Sequence, residues 1–288
     1  MPTQPPINSP TPGTDANASG TPLPTWTPPP LDPAVQIADH YHFQRPISPD
    51  GVNYLDRTYA YGGTAGNSRQ VHHGVDFENP SGTPILAAGD GVVFYAGNDF
   101  TTVFGSGPNY YGNLVVIQHP ITTSDGKPVF TLYGHMSSVS VQTGQAVKTG
   151  QIIGLVGSTG VAIGPHLHFE VRDGDPHDFN STLNPDLWIY PFQKFGTLAG
   201  RVTDQNGTLL FQAPITVRSV ESGLRRYTWS YPDNTVNGDP VFHENYTLGD
   251  LPANYYEVTV NDGHRVRFDQ IIYIYPNHTT WLNIQLNP

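Results

Sequence analysis

Along the chain, apolar residues come in short runs separated by turn formers. TPILAAG, GVVFYAG, NLVVIQH, VFTLYGHM, VSVQTG, QIIGLVG and HLHFEVR follow one another between about residues 83 and 172. Each run is four to eight residues long, rich in Val, Ile, Leu and aromatics, and bounded by Gly, Asn, Asp or Pro, the pattern of strands closed by turns. No stretch carries a 3.6-residue apolar period over a dozen positions, so helices are not expected. A second alternating pattern begins near residue 196. LAGRVTDQNGTLLFQAPITVRS reads as strand, turn at Gln205-Asn206-Gly207, then strand, and YYEVTV, RVRFDQIIYIY and TTWLNIQL read as further strands. The expected fold class is all-β and mostly antiparallel, with one sheet domain over 38–195 and a small β-sandwich over 196–288.

The first 37 residues break this pattern. Eleven of the 28 prolines fall within the first 33 positions, in PTQPP, SPTPG and TWTPPPLDP. Proline removes backbone donors and favours extended chain, and there is little apolar surface to bury, so 1–37 reads as a Pro/Thr-rich linker. Charge narrows the partners. The 13 basic residues face 24 acidic ones, a net −11, which disfavours nucleic acid because phosphate binding needs basic clusters. No run of about 18 apolar residues spans a membrane, and no basic-then-apolar leader is visible. The chain has no cysteine, so a metal site would have to be built from His, Asp or Glu.

Such residues recur at strand-compatible spacing. His72 and Asp76 stand at i and i+4 in His72-His73-Gly74-Val75-Asp76, and would share a face if the segment is extended. His166 and His168 flank Leu167 and share a face, with Leu167 and Phe169 turned to the core. His135 closes the run Thr131-Leu-Tyr-Gly-His. A catalytic zinc takes three protein ligands and leaves a fourth position for water or substrate. Further histidines beside it can move protons near neutral pH. A lone His-x-His is weak support, since Asp39-His40-Tyr41-His42 supplies another. Of the remaining candidates, Glu170 shares the His168 face and could either orient a ligand imidazole or face solvent. Asn113 could line a groove or serve a turn. His119 reads as structural or groove-lining rather than metal-bound, Arg172 as one half of a surface ion pair, and His73 points away from His72.

The strings HHGVDF, TLYGHMSSVSV, GQIIGLVGSTG and GPHLHFEVR resemble the LytM/lysostaphin-type zinc endopeptidases, in matching order and spacing over about residues 60–175. The resemblance implies an antiparallel metallopeptidase sheet with an open groove and a Zn2+ ion held by His72, Asp76 and His168. It further implies His135 and His166 as catalytic residues and peptidoglycan peptides as substrate. It places the activity outside the cytoplasm, in the periplasm, at the cell surface or in the medium, and a monomer is expected. The rival is a non-catalytic member of the same fold that binds wall or activates an amidase. Residues 196–288 look, more loosely, like the carboxypeptidase-regulatory-like β-sandwich. Their Trp229, Tyr231, Tyr255, Tyr256 and Trp281 could form a carbohydrate platform, though core packing is the default for such residues.

Overall fold

The computed structural model describes residues 37–286; the tract read as a linker lies outside the described residues except for Ile37. All described residues fall within one compact unit, Asp32–Pro288. The first half contributes ten strands: β1 (Val75–Glu78), β2 (Pro84–Leu86), β3 (Gly91–Asn98), β4 (Asn113–Thr122), β5 (Pro128–Met136), β6 (Ser138–Val139), β7 (Ala146–Val147), β8 (Ile152–Leu155), β9 (His166–Asp173) and β10 (Thr182–Leu183). The main sheet runs β1-β9-β5-β4-β3-β7, with β10 also on β9, and every pairing in it is antiparallel. A second small sheet, β2-β8-β6, lies apart from it. Among the described residues there is no α-helix, only a 3-10 turn at Pro185–Leu187 capped by Asn184.

Two-residue alternation separates the faces of the main sheet. Val115, Ile117, Tyr133, Leu167, Phe169 and Val171 point into the larger core with Phe43, Val75 and Phe77. Leu114, Val116, Phe130 and Leu132 point to the opposite face and pack with Phe104 and Tyr111. β4 and β5 are therefore covered on both sides, which is why their sequences read as continuous apolar runs. Burying a side chain such as Leu167 contributes about 1.5–3 kcal/mol.

The second half has seven strands: β11 (Phe195–Thr203), β12 (Pro214–Ser219), β13 (Arg225–Trp229), β14 (Tyr246–Pro252), β15 (Tyr255–Asn261), β16 (Val266–Tyr273) and β17 (Thr279–Gln285). They form two sheets, β14-β11-β17 and β13-β12-β15-β16, around a shared core that includes Leu198, Val202, Ile215, Val217, Tyr246, Val258 and Ile284. Here the sequence reading needs correction. The strands either side of Gln205-Asn206-Gly207 are not partners. β11 is flanked by β14 and, in parallel, by β17, whereas β12 lies in the other sheet. The turn itself falls where the sequence predicts it, closed by the Thr203–Leu209 bridge and by the Asp204 and Leu210 amides donating to the Thr208 (2.9 Å) and Val202 (2.8 Å) carbonyls. Both edges of β11 are already occupied, so the chain crosses to the second layer.

The halves share packing. Ala199, Tyr231 and Phe242 belong to the same core cluster as Phe43, Tyr61 and Trp188. The segment before β1 is tied to the far end of the chain: Asp39 accepts hydrogen bonds from His278 Nδ1 (2.7 Å) and the Thr279 amide (2.7 Å), and the Tyr41 and Thr279 hydroxyls bond at 2.8 Å.

Candidate metal centre

Strand register does most of the assembly. Asp76 on β1 stands opposite His168 on β9, and His168 stands opposite Gly134 on β5. His72 is not on the strand, contrary to the extended reading: the chain bends at His73-Gly74 before β1 starts. The bend brings His72 against Asp76 by a different route. Gly74 permits it, because a Cβ there would sit 2.5 Å from the Phe169 carbonyl oxygen and 2.9 Å from His168 Cε1. Gly134 leaves room for Tyr111, whose ring carbon would lie 2.9 Å from a Cβ.

Hydrogen bonds then set the ring protons. His72 Nδ1 lies 2.6 Å from the Tyr59 carbonyl, which can only accept, so the proton is on Nδ1 and the Nε2 lone pair faces inward. The Tyr59 ring stacks on His72, centroids 4.0 Å apart at 5°. His168 Nε2 donates to Glu170 Oε1 at 2.9 Å, which turns Nδ1 inward. His168 Nδ1 is 2.9 Å from Asp76 Oδ1 and 3.1 Å from His72 Nε2, and His72 Nε2 is 3.2 Å from the same Asp76 oxygen. Two imidazole nitrogens and a carboxylate oxygen thus form a triangle whose sides approach the ~3.3 Å edge of a tetrahedron with zinc–ligand arms of about 2.0–2.1 Å. All three side chains are buried. Without a cation, a proton must sit among these acceptors. Burial works against charge on His168, but Asp76 and Glu170 outweigh it and push the ring up to about 9. Burial would raise Asp76, yet the His72 and His168 rings hold it well below the usual carboxylate range. The donor set fits a borderline divalent ion such as zinc.

His135 and His166 stand beside this triangle. Their ring centroids are 4.8 Å apart, and His135 is 5.7 Å from His168. Each donates Nδ1–H to a backbone carbonyl, His135 to Thr159 (2.8 Å) and His166 to Gly164 (2.9 Å), which leaves both Nε2 lone pairs free. His166 Nε2 lies 3.8 Å from Asp76 Oδ1. His135 sits at φ 61°, a left-handed conformation at the end of β5 that aims its ring across the sheet. Burial, and then the His168 and His166 rings, lower His135 to about 3, so it is neutral at ordinary pH.

A buried ionic cluster backs the triangle. Glu170 has no solvent exposure, which excludes its facing solvent; it accepts from His168, from the Tyr111 hydroxyl and from Arg172 Nε (2.6 Å). Burial would raise its pKa, but Arg172 and then His168 hold it well below the carboxylate range. Arg172 is not half of a surface pair. It is fully buried, and its remaining donors go to the Tyr111 hydroxyl (2.9 Å) and to the Phe104 and Pro176 carbonyls (2.9 and 2.6 Å). Asn113 spends its side-chain amide on the Met136 carbonyl (3.1 Å), which ties β4 to β5. His73 turns away, against Phe179 and Thr182, and His119 bonds to Asp90 and Thr131; burial lowers each to about 4. Tyr59 and Tyr111 are additions that spacing did not single out.

Comparison with known proteins matches part of the chain to a family. Residues 70–181 match Peptidase family M23. The matching segment contains all five clustered residues and their Glu170–Arg172 support. Over 100 residues the chain is 45% identical to the peptidoglycan DD-endopeptidase ShyA of Vibrio cholerae, covering 35% of this chain and 20% of that protein. Over 108 residues it is 41% identical to the DD-carboxypeptidase/endopeptidase Mpg of Neisseria meningitidis, covering 37% and 21%. The chain therefore spans about a fifth of the length of these curated relatives. Among solved structures, the catalytic domain of the prophage-encoded M23 protein EnpA from Enterococcus faecalis aligns at 31% identity, over 50% of this chain and 95% of that one, with a TM-score of 0.40.

Proposed function

We propose that the chain is a zinc-dependent endopeptidase that hydrolyses peptide bonds of bacterial peptidoglycan outside the cytoplasm. The observation that carries this is the convergence of three acceptor atoms, His72 Nε2, Asp76 Oδ1 and His168 Nδ1, with no proton supplied by their other partners. The name of the Vibrio cholerae relative, a peptidoglycan DD-endopeptidase, supports the substrate class.

In this reading His72, Asp76 and His168 hold the ion, and Glu170 fixes the His168 ring through its outer nitrogen. A zinc ion held there would polarise the scissile carbonyl and acidify a water molecule to near neutrality. His135 and His166 supply the proton transfers. Each has Nδ1 locked to a backbone carbonyl, so each presents Nε2 in a fixed direction, ready to take a proton from water and return it to the leaving amine. Burial and the neighbouring imidazoles keep the His135 ring neutral across the physiological range, with its Nδ1 bonded to Thr159. The loop 98–112, pinned where Arg172 holds the Phe104 carbonyl, walls the site and is the part expected to select among peptides.

The test is digestion of purified peptidoglycan, with mass spectrometry of the released muropeptides and parallel metal analysis. Peptide-bond cleavage that stops on chelation and returns with zinc is expected. Cleavage unaffected by chelator overturns the reading, as does a protein that binds wall without cutting it.

A further inference from the structure

A second cleft lies on the other side of the segment that supports His72. It encloses about 700 Å³ between the loop 57–67 and the strand β13. The loop serves both places. Thr58 and Ala60 line the cleft, while Tyr59 between them stacks on His72 and accepts its Nδ1 proton. Gly62 and Gly63 also line it, and they exchange backbone hydrogen bonds with His72 at 2.8 and 2.9 Å.

The opposite wall is an edge strand. β13 pairs only with β12, and both its faces border the cleft, Tyr227 and Trp229 on one and Arg226 and Thr228 on the other. They stay 53% and 56% exposed, whereas Tyr231 and Tyr256 in the same half are buried. Two large aromatics left open on one strand face a cavity rather than a core. Charge is just as selective. The chain carries 24 acidic residues against 13 basic ones, yet no acidic residue lines this cleft. Arg57 there is bonded to Asp186, but Arg226 makes no ion pair among the described residues. The far wall carries strain at its tip, where Ala65, Gly66 and Asn67 are consecutive left-handed residues, a conformation that non-glycine side chains disfavour.

We propose that this cleft binds the saccharide–peptide repeat of the wall polymer, with a sugar ring on Trp229 and Tyr227 and a peptide carboxylate at Arg226. The assignment rests on the proposed peptidoglycan substrate. Aromatic faces take the apolar faces of sugar rings, an unpaired guanidinium takes a carboxylate, and the Asn67 and Gln212 amides on the lining can meet hydroxyls. One loop walls the cleft and supports His72, so a polymer seated here bears on the segment that holds the His72 ring.

The test uses the full chain stripped of metal, so that no probe is cut, and titrates four purified probes calorimetrically: a disaccharide–tetrapeptide muropeptide, its amidated form, the disaccharide alone and the peptide alone. The muropeptide should bind the wild type most tightly. Trp229→Ala should weaken it at least tenfold, and Arg226→Gln should remove the preference for the free acid over its amidated form. Tyr227→Ala provides a second aromatic variant, with circular dichroism to check folding. Equal muropeptide affinity in wild type and folded Trp229→Ala and Tyr227→Ala overturns the proposal, as does tighter binding of the peptide alone. Hydrolysis of peptidoglycan by the zinc-loaded wild type, run in parallel, separates the two readings: cutting without these binding losses removes the cleft and keeps the enzyme, and binding losses without cutting do the reverse.

Discussion

His72 and His168 each commit one ring nitrogen to a neighbour, Tyr59 or Glu170, and turn the other toward Asp76. In the metal-free chain a proton occupies that meeting point, with His168 raised to about 9. Zinc must displace it. Loading at pH 8 should therefore release about one proton per ion, and apparent affinity should climb about tenfold per pH unit up to about 9. Calorimetry in buffers of different ionisation enthalpy measures this; zero release at pH 8 would contradict the tautomers deduced for His168. Substitutions divide the cluster. His168→Ala should lose both zinc and activity, and Asp76→Asn should weaken zinc, each read by metal analysis. His135→Ala should keep zinc while turnover drops by roughly 10²–10⁴; unchanged turnover in a folded variant would remove His135 from the chemistry. All five of these residues stand out in the sequence because imidazoles and carboxylates are rare in apolar runs. Tyr59 does not, since its part is played by a backbone carbonyl that any residue carries.

Strand β9 shows what alternation can and cannot tell. Its odd positions, Leu167, Phe169 and Val171, enter the core, and its even positions, His166, His168, Glu170 and Arg172, make the site face. That pattern is visible in HLHFEVR. The depth of Arg172 is not, because an arginine is buried only when distant groups accept its donors, here the carbonyls of Phe104 and Pro176. Arg172→Ala should leave Glu170 buried without its guanidinium partner, held only by His168 and Tyr111, and cost about 3–5 kcal/mol in chemical denaturation; a loss below 1 kcal/mol would show that the cluster relaxes. The crossing from β11 to β12 is equally hidden. An Asn-Gly turn between apolar runs signals a reversal, but which strands later take the edges of β11 depends on residues some 50 to 80 positions on.

At the scale of the whole molecule, a buried carboxyl joins the halves. Glu244 accepts from the Tyr231 hydroxyl (2.7 Å) and the Asp239 amide (2.8 Å), and Asp239 in turn meets His40 and Trp188. Burial, and then Asp239, push Glu244 up to about 8. The folded form therefore holds a proton that the unfolded chain gives up near 4.5, so this group's contribution to stability falls as pH rises from about 4.5 to 8. Thermal unfolding of wild type and Glu244→Gln across that window should show a shallower slope in the variant; identical slopes would place the titration elsewhere. A change of strand pattern near residue 196 is legible in the sequence, but the packing of Phe242 and Tyr231 with Trp188 is not, since contacts between distant segments leave no local period.

The clasp of Asp39 and Tyr41 on His278 and Thr279 has a mechanical consequence. Tension entering through residue 39 is handed directly to β17 and, through its parallel ladder, to β11. Parallel ladders loaded along their length shear many bonds at once rather than unzipping them one by one. The strands that carry His168 and Asp76 belong to a different sheet, so this load path does not run through the ladder that sets the metal triangle.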